Sequence, residues 1–147
     1  MVEAAIVELI KDRVEVTNII GAGDNARIYP HQAGQANATH PRPFVVYRRI
    51  GTERTYSNSG YSGLASPRIQ VDCVASDYAT ARLLADEIRL ALQAFRGTVG
   101  GIVVCAIFLD EEMDISEERF EGHEQPVERV VLDFLVWHHE VKPDQPH

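Results

Sequence analysis

Apolar and polar positions change period several times along this chain, and each change marks an element. Val2, Ile6, Leu9 and Ile10 recur at helical spacing with Glu3, Glu8 and Lys11 on the other side, which predicts an amphipathic helix. Val16, Ile19 and Ile20 predict a second short helical turn, ended by Gly21-Ala22-Gly23. Arg27-Ile28-Tyr29-Pro30 reads as a short strand closed by proline, and the polar, proline-bearing stretch from His31 to Pro43 as a loop. Phe44 to Ile50, rich in valine and aromatic residues, predicts a strand.

Gly51 to Pro67 lacks the large apolar residues of a core and carries two tyrosines, Tyr56 and Tyr61. It predicts a long hairpin arm or mobile loop that orders when something presses on it. Ile69, Val71, Cys73 and Ala75 then alternate with Arg68, Gln70 and Asp72, as in a half-buried strand. Ser76-Asp77 caps the strongest helix of the chain. Its stripe is Ala81, Leu84, Ala85, Ile88, Ala91, Leu92 and Phe95, and Gly97 is expected to terminate it. Gly100-Gly101 predicts a tight turn into a strand from Ile102 to Leu109. Asp110 to Glu124 is acidic and reads as a loop, and the tail from Lys142 to His147 as a frayed end.

The closing strand, Val127 to His138, is the most telling. Val130, Leu132, Phe134 and Val136 share one face; Val131, Leu135 and Trp137 share the other, interrupted by Arg129 and Asp133. Both faces of such a strand must leave water, and the helices suffice for about one. The uncovered face is expected to be a subunit contact. Because the strands come in adjacent runs, the pattern predicts an α+β fold: an antiparallel or mixed sheet of four to five strands with helices packed on one face and a long hairpin arm. At 147 residues the chain is expected to form one domain over residues 1–141, followed by a flexible tail over 142–147.

Charge sharpens this picture. The net charge of −8 is carried by the last third, since residues 1–100 hold eleven Lys/Arg against ten Asp/Glu and residues 101–147 hold three against twelve. Between Arg42 and Arg68 the sign reverses, with five arginines and only Glu53 against them. An acidic balance argues against general affinity for duplex nucleic acid. A basic and an acidic segment on one chain suit head-to-tail contact with copies of itself or with neighbours. Arg48, Arg49 and Arg54 either protect an exposed strand edge or meet a partner. The carboxylates of Asp110, Glu111, Glu112, Asp114, Glu117, Glu118 and Glu121 form either a solvated loop or an electrostatic contact; they lack the spacing and turn-forming glycine of a calcium loop.

Other candidate chemistry falls away. Gly21-Ala22-Gly23-Asp24 follows a helix rather than a strand and lacks a third glycine, so it cannot cradle a dinucleotide phosphate. Gly60-Tyr61-Ser62-Gly63 is one residue short of a nucleophile elbow. His138 and His139 are adjacent and point to opposite faces of a strand, where they end solvated rather than chelating one ion. Cys73 and Cys105 read as buried thiols of a reducing compartment, with a disulfide as the alternative. Without a basic n-region or a long apolar run, the expectation is a soluble cytoplasmic protein, not an enzyme, with no metal or cofactor.

Taken together, the helix Val2–Ile10, Arg27-Ile28-Tyr29-Pro30, Pro43-Phe44-Val45-Val46-Tyr47, Arg68-Ile69-Gln70-Val71-Asp72-Cys73, the helix Tyr78–Phe95 with Phe95-Arg96-Gly97-Thr98-Val99-Gly100-Gly101, Phe108-Leu109-Asp110 and Asp133-Phe134-Leu135-Val136-Trp137-His138 span nearly the whole chain. In that order they resemble the tail-completion proteins of long-tailed bacteriophages and prophages, and the layout is similar to that of phage tail terminators. The resemblance implies a virion structural protein: a ring, usually of six subunits, at the head–tail junction. It would contact the tail tube protein and a head-side connector, assemble in the host bacterial cytoplasm, and have no catalytic residues. Such proteins can be monomers until they meet their partner. The acidic segment would then line the DNA channel or meet the connector, without specific nucleic-acid recognition and without a membrane. The competing expectation is a small, dimeric ligand-binding or regulatory domain of a bacterial protein.

Overall fold

The computed structural model describes residues 2–31, 41–57, 60–93, 95–117 and 127–139. Two helices open the chain, α1 (Val2–Asp12) and α2 (Val14–Ile20). Gly21 follows with φ of 92°, a left-handed conformation that costs glycine little and ends the helix. After a short 3-10 turn at Gly23–Asn25 come β1 (Ile28–Pro30), β2 (Phe44–Ser57) and β3 (Gly60–Ala75). Then follow α3 (Tyr78–Leu92), β4 (Gly97–Val99), β5 (Ile102–Glu117) and β6 (Val127–His139). Arg27 joins the opening helices to the sheet: its Nη2 donates to the Ile19 carbonyl at 2.7 Å and its Nε to the Pro43 carbonyl at 2.8 Å. One guanidinium thus satisfies a carbonyl left open at the end of α2.

The six strands form one mixed sheet in the order β1-β2-β3-β6-β5-β4. Among the described strands, β1 and β2 alone run parallel. The fold class is α+β as expected, with six strands rather than four or five. The strand missed is β4, three residues lying between the expected helix terminator, Gly97 itself, and the expected turn at Gly100-Gly101. The helix instead stops at Leu92, and Gly97, expected as its terminator, opens β4.

Asp110 to Glu117 is the larger correction. The acidic segment is no loop up to that point: it prolongs β5 and stays paired with β6, Glu117 lying opposite Val127. A pleated strand needs only one buried face, and its alternation hid behind the acids. Glu118 and Glu121 lie outside the described residues, as does the tail expected over 142–147.

Helices cover one face of the sheet. Ile6 and Ile10 of α1, Val16 and Ile20 of α2, and Leu84, Ile88 and Leu92 of α3 are fully buried against Val71, Ile107, Leu132 and Phe134. Val130, Leu132, Phe134 and Val136 all reach zero exposure, as the alternation of β6 required. His138 continues that row and is buried, with 5% exposure, not solvated; His139 beyond it is exposed. Asp77 caps α3, accepting a hydrogen bond at 2.9 Å from the Thr80 amide. Cys73 is buried and Cys105 half-exposed, and both are free thiols. Cys105 sits in the bulge between Val104 and Ala106, which lifts it out of the core expected for it.

Candidate assembly interface

Strand pairing fixes which side chains share the face away from the helices, because directly opposed residues point the same way. One row across the sheet runs Val46, Asp72, Val131 and Met113. The next runs Arg48, Gln70, Asp133 and Glu111, and the third Gly51, Arg68, Leu135 and Phe108. This open face is a mosaic rather than an apolar sheet. A small second cluster of Phe44, Val46 and Val74, with Tyr29 and Val127 packed on it, closes one end.

A polar network runs through the middle. Arg48 donates to Gln70 at 3.3 Å, Gln70 to Asp72 at 2.9 Å, and Arg129 to Asp72 at 3.1 Å. Arg68 bonds Asp110 at 2.6 Å and approaches Asp133 at 3.7 Å. Asp133 is the uneasy member. Its Oδ1 is buried and accepts no hydrogen bond from the described residues. Burial raises its pKa above the usual carboxylate value, Arg68 opposes the rise, and Glu111 and Asp110 add to it.

Apolar side chains flank that network. Val131, Leu135 and Trp137 are half-buried, while Phe108 is 54% and Met113 48% exposed. Val103, next to the buried Val104 and so on the opposite face, is also exposed. Two shallow depressions adjoin on this face and share Gln70: one of about 140 Å³ edged by His31, Val46, Arg48, Asp72 and Arg129, and one of about 280 Å³ edged by Glu111, Met113, Ile115, Val131 and Asp133. Enclosing a small molecule takes a cavity of roughly 300–1,000 Å³ that buries most of the ligand. A broad face with shallow relief fits another protein better. Among the described residues, no three His, Cys, Asp or Glu side chains converge as metal ligands.

The sequence-derived candidates divide between this face and other places. Arg48, Val131, Leu135 and Trp137 do share the open face. Arg49 points to the helix side, where it pairs with Glu3 of α1 at 2.6 Å. Arg54 lies on the arm and is exposed; the backbones of Tyr56 and Tyr61 stand opposite each other near its tip. The arm is thus a β-hairpin, the first of the two forms expected.

Within the acidic stretch, Glu111 faces the open side with Asp133. Glu112 and Asp114 face α3, where both pair with Arg82, Asp114 at 3.1 Å. Tyr78 also donates to Asp114 at 2.8 Å. Arg82 further holds Asp86 at 2.9 Å. Much of the apparent acidity is therefore matched inside the molecule. Phe108 and Met113 were missed by sequence reasoning. The signal was present in the apolar positions on both sides of Ile102–Leu109 and in Met113 and Ile115 alternating with acids.

The profile of one protein family, described as Tail completion protein gp17, matches residues 4–139. No curated protein matches the chain. Among solved structures, a chain from the "Virion of native gene transfer agent (GTA) particle" shares the fold, with a TM-score of 0.67 and 14% sequence identity over 93% of both chains.

Proposed function

This chain belongs to the tail completion protein gp17 family, and from that premise we propose that it is a virion structural protein that completes the tail of a phage or prophage particle as a homo-oligomeric ring. In this reading the ring sits at the head–tail junction, between the tail tube protein and a head-side connector. It is built in the host cytoplasm from a single domain over residues 1–141. It acts by contact alone, without catalysis or cofactor, and DNA passes through it without being read.

The observation that carries the proposal is the open sheet face. Phe108 and Met113, half or nearly half exposed, stand beside Val131, Leu135 and Trp137. Together with the exposed Val103 they make apolar patches on both sides of a polar row, a mixed surface of the kind that a second protein covers. The polar network between them supplies donors and acceptors at fixed positions, which gives such a contact its register.

Absolute mass tests the reading, measured for the purified protein across a concentration series, alone and then with the tail tube protein. A discrete ring-sized species in either condition is the expected result. A monomer that stays monomeric and ignores the tube would overturn it and favour a ligand-binding domain.

A further inference from the structure

Apart from Ile50 and Tyr78, the large apolar side chains exposed among the described residues fall into two groups on opposite sides of the sheet. Val103, Phe108 and Met113 belong to the open face. Val14, Leu83 and Leu90, each half exposed or more, belong to the helix layer. Leu83 and Leu90 are two turns apart and project from the side of α3 opposite its buried stripe of Ala81, Leu84, Ala85, Ile88 and Leu92. The outer side of a surface helix ordinarily carries polar residues. Val14 continues the patch: with Leu9, Leu90 and Ala91 it borders a shallow depression of about 390 Å³.

The two surfaces complement each other. Between the leucines, Asp86 and Glu87 are held by Arg82 and Arg13 of the same copy. Arg89, beside Leu90, donates to the neutral Gln93 at 3.2 Å and meets no carboxylate among the described residues. On the open face Glu111 is exposed between Phe108 and Met113 and makes no ion pair among the described residues; the nearby Arg68 bonds Asp110 instead. Spacing agrees with charge. Leu83 and Leu90 are about 10 Å apart along the helix. Phe108 and Met113 stand opposite Leu135 and Val131, four residues of β6 and about 13 Å apart. A helix lying along the strands can therefore set one leucine near each, with Arg89 close to Glu111. A sheet apolar on both faces is ordinarily buried by helices on both, and this chain supplies them for one. A two-fold contact uses one surface twice and leaves the other bare, whereas front-to-back contact uses both and closes into a ring when the rotation allows.

We infer that in the assembled ring the outer side of α3 in each copy lies on the open sheet face of the next. Leu83 and Leu90 pack on Phe108 and Met113, and Arg89 meets Glu111 of the neighbour. The neighbour's helix is thus the missing second layer of the sheet: apolar burial gives affinity and the charge pair gives register. It rests on the ring proposed above and names the contact that builds it.

Charge reversal tests it. Arg89→Glu and Glu111→Arg are made singly and together, and assembly is followed by mass, alone and with the tail tube protein. Each single reversal is expected to raise the concentration for half-assembly about tenfold, and the double variant to return it to within about threefold of wild type. Melting temperatures of the unassembled proteins verify that the variants fold. Hydroxyl-radical labelling supplies a reading that needs no variant: on assembly of the wild type, Leu83, Leu90, Phe108 and Met113 all become protected. A ring that ignores both single reversals, or whose double variant assembles no better than the singles, overturns this contact and leaves the ring standing. So does a ring in which Phe108 and Met113 are protected while Leu83 and Leu90 label as in the monomer, because another partner then covers the sheet. A wild-type protein that forms no ring in either condition overturns both.

Discussion

Asp133 shows how a single residue is set by its neighbours rather than by its own strand. Its carboxylate is held on the open face with one oxygen unsatisfied, near Glu111 and Asp110, and Arg68 gives its shorter contact to Asp110. An acid whose folded pKa is raised costs stability once ionised. The cost is absent well below the unfolded pKa of about 4 and grows as pH rises through the folded value. Asp133→Asn removes that cost. The variant is therefore expected to melt above the wild type at pH 7, and the difference to vanish near pH 3. Melting curves at both pH values check it, and an equal difference at both would show that ionisation is not the cause.

At the scale of elements, α3 and β5 support each other. Arg82 and Tyr78 of the helix hold Glu112 and Asp114 of the strand, so the long acidic strand is fixed to the layer above it. The start of that helix depends on Asp77. Asp77→Ala forfeits its bonds to the Thr80 amide and hydroxyl and is expected to cost about 1 kcal/mol, read as a fall of about 3 °C in melting temperature. Helix α3 and strand β6 were legible in the sequence because their buried stripes repeat with the period of the element. Strand β4 was not, since three residues hold too little periodicity to register. The strand from Asp110 to Glu117 was misread because its turn-like, acidic composition outweighed the alternation of Met113 and Ile115. What makes it a strand is its hydrogen bonding to β6, the next strand along the chain, a pairing that composition does not show.

At the scale of the whole molecule, helices cover one side of the sheet, and the other is the face proposed above to meet a second protein. The hairpin arm of β2 and β3 outruns both. Past Leu64 it gains no third strand among the described residues, so the fold of one copy owes it little. Replacing residues 55–62 by Asn-Gly, which leaves Arg54 and its partner Ala65 joined by four residues, a length that hairpin loops accept, is expected to leave unfolding free energy within about 1 kcal/mol of wild type. The same variant is expected to lose assembly. Denaturant titration and mass measurement separate the two effects, and an arm-shortened chain that assembles normally would remove the arm from that role.

The sequence by itself determined the order of the elements other than β4, the helical stripes, the buried row Val130, Leu132, Phe134 and Val136, the hairpin arm, and the separation of basic from acidic segments. Those are local properties: side-chain period and composition are written within a few residues. Tertiary structure alone decided that Arg49 meets Glu3 of α1 and that Glu112 and Asp114 are matched by Arg82. It also decided that Phe108 and Met113 stand exposed beside Glu111. Those outcomes depend on bulges that shift register at Val104/Ala106 and Leu109/Glu111 and on which strands become neighbours. A one-residue change of register turns every later side chain to the other face, and only the completed sheet settles it.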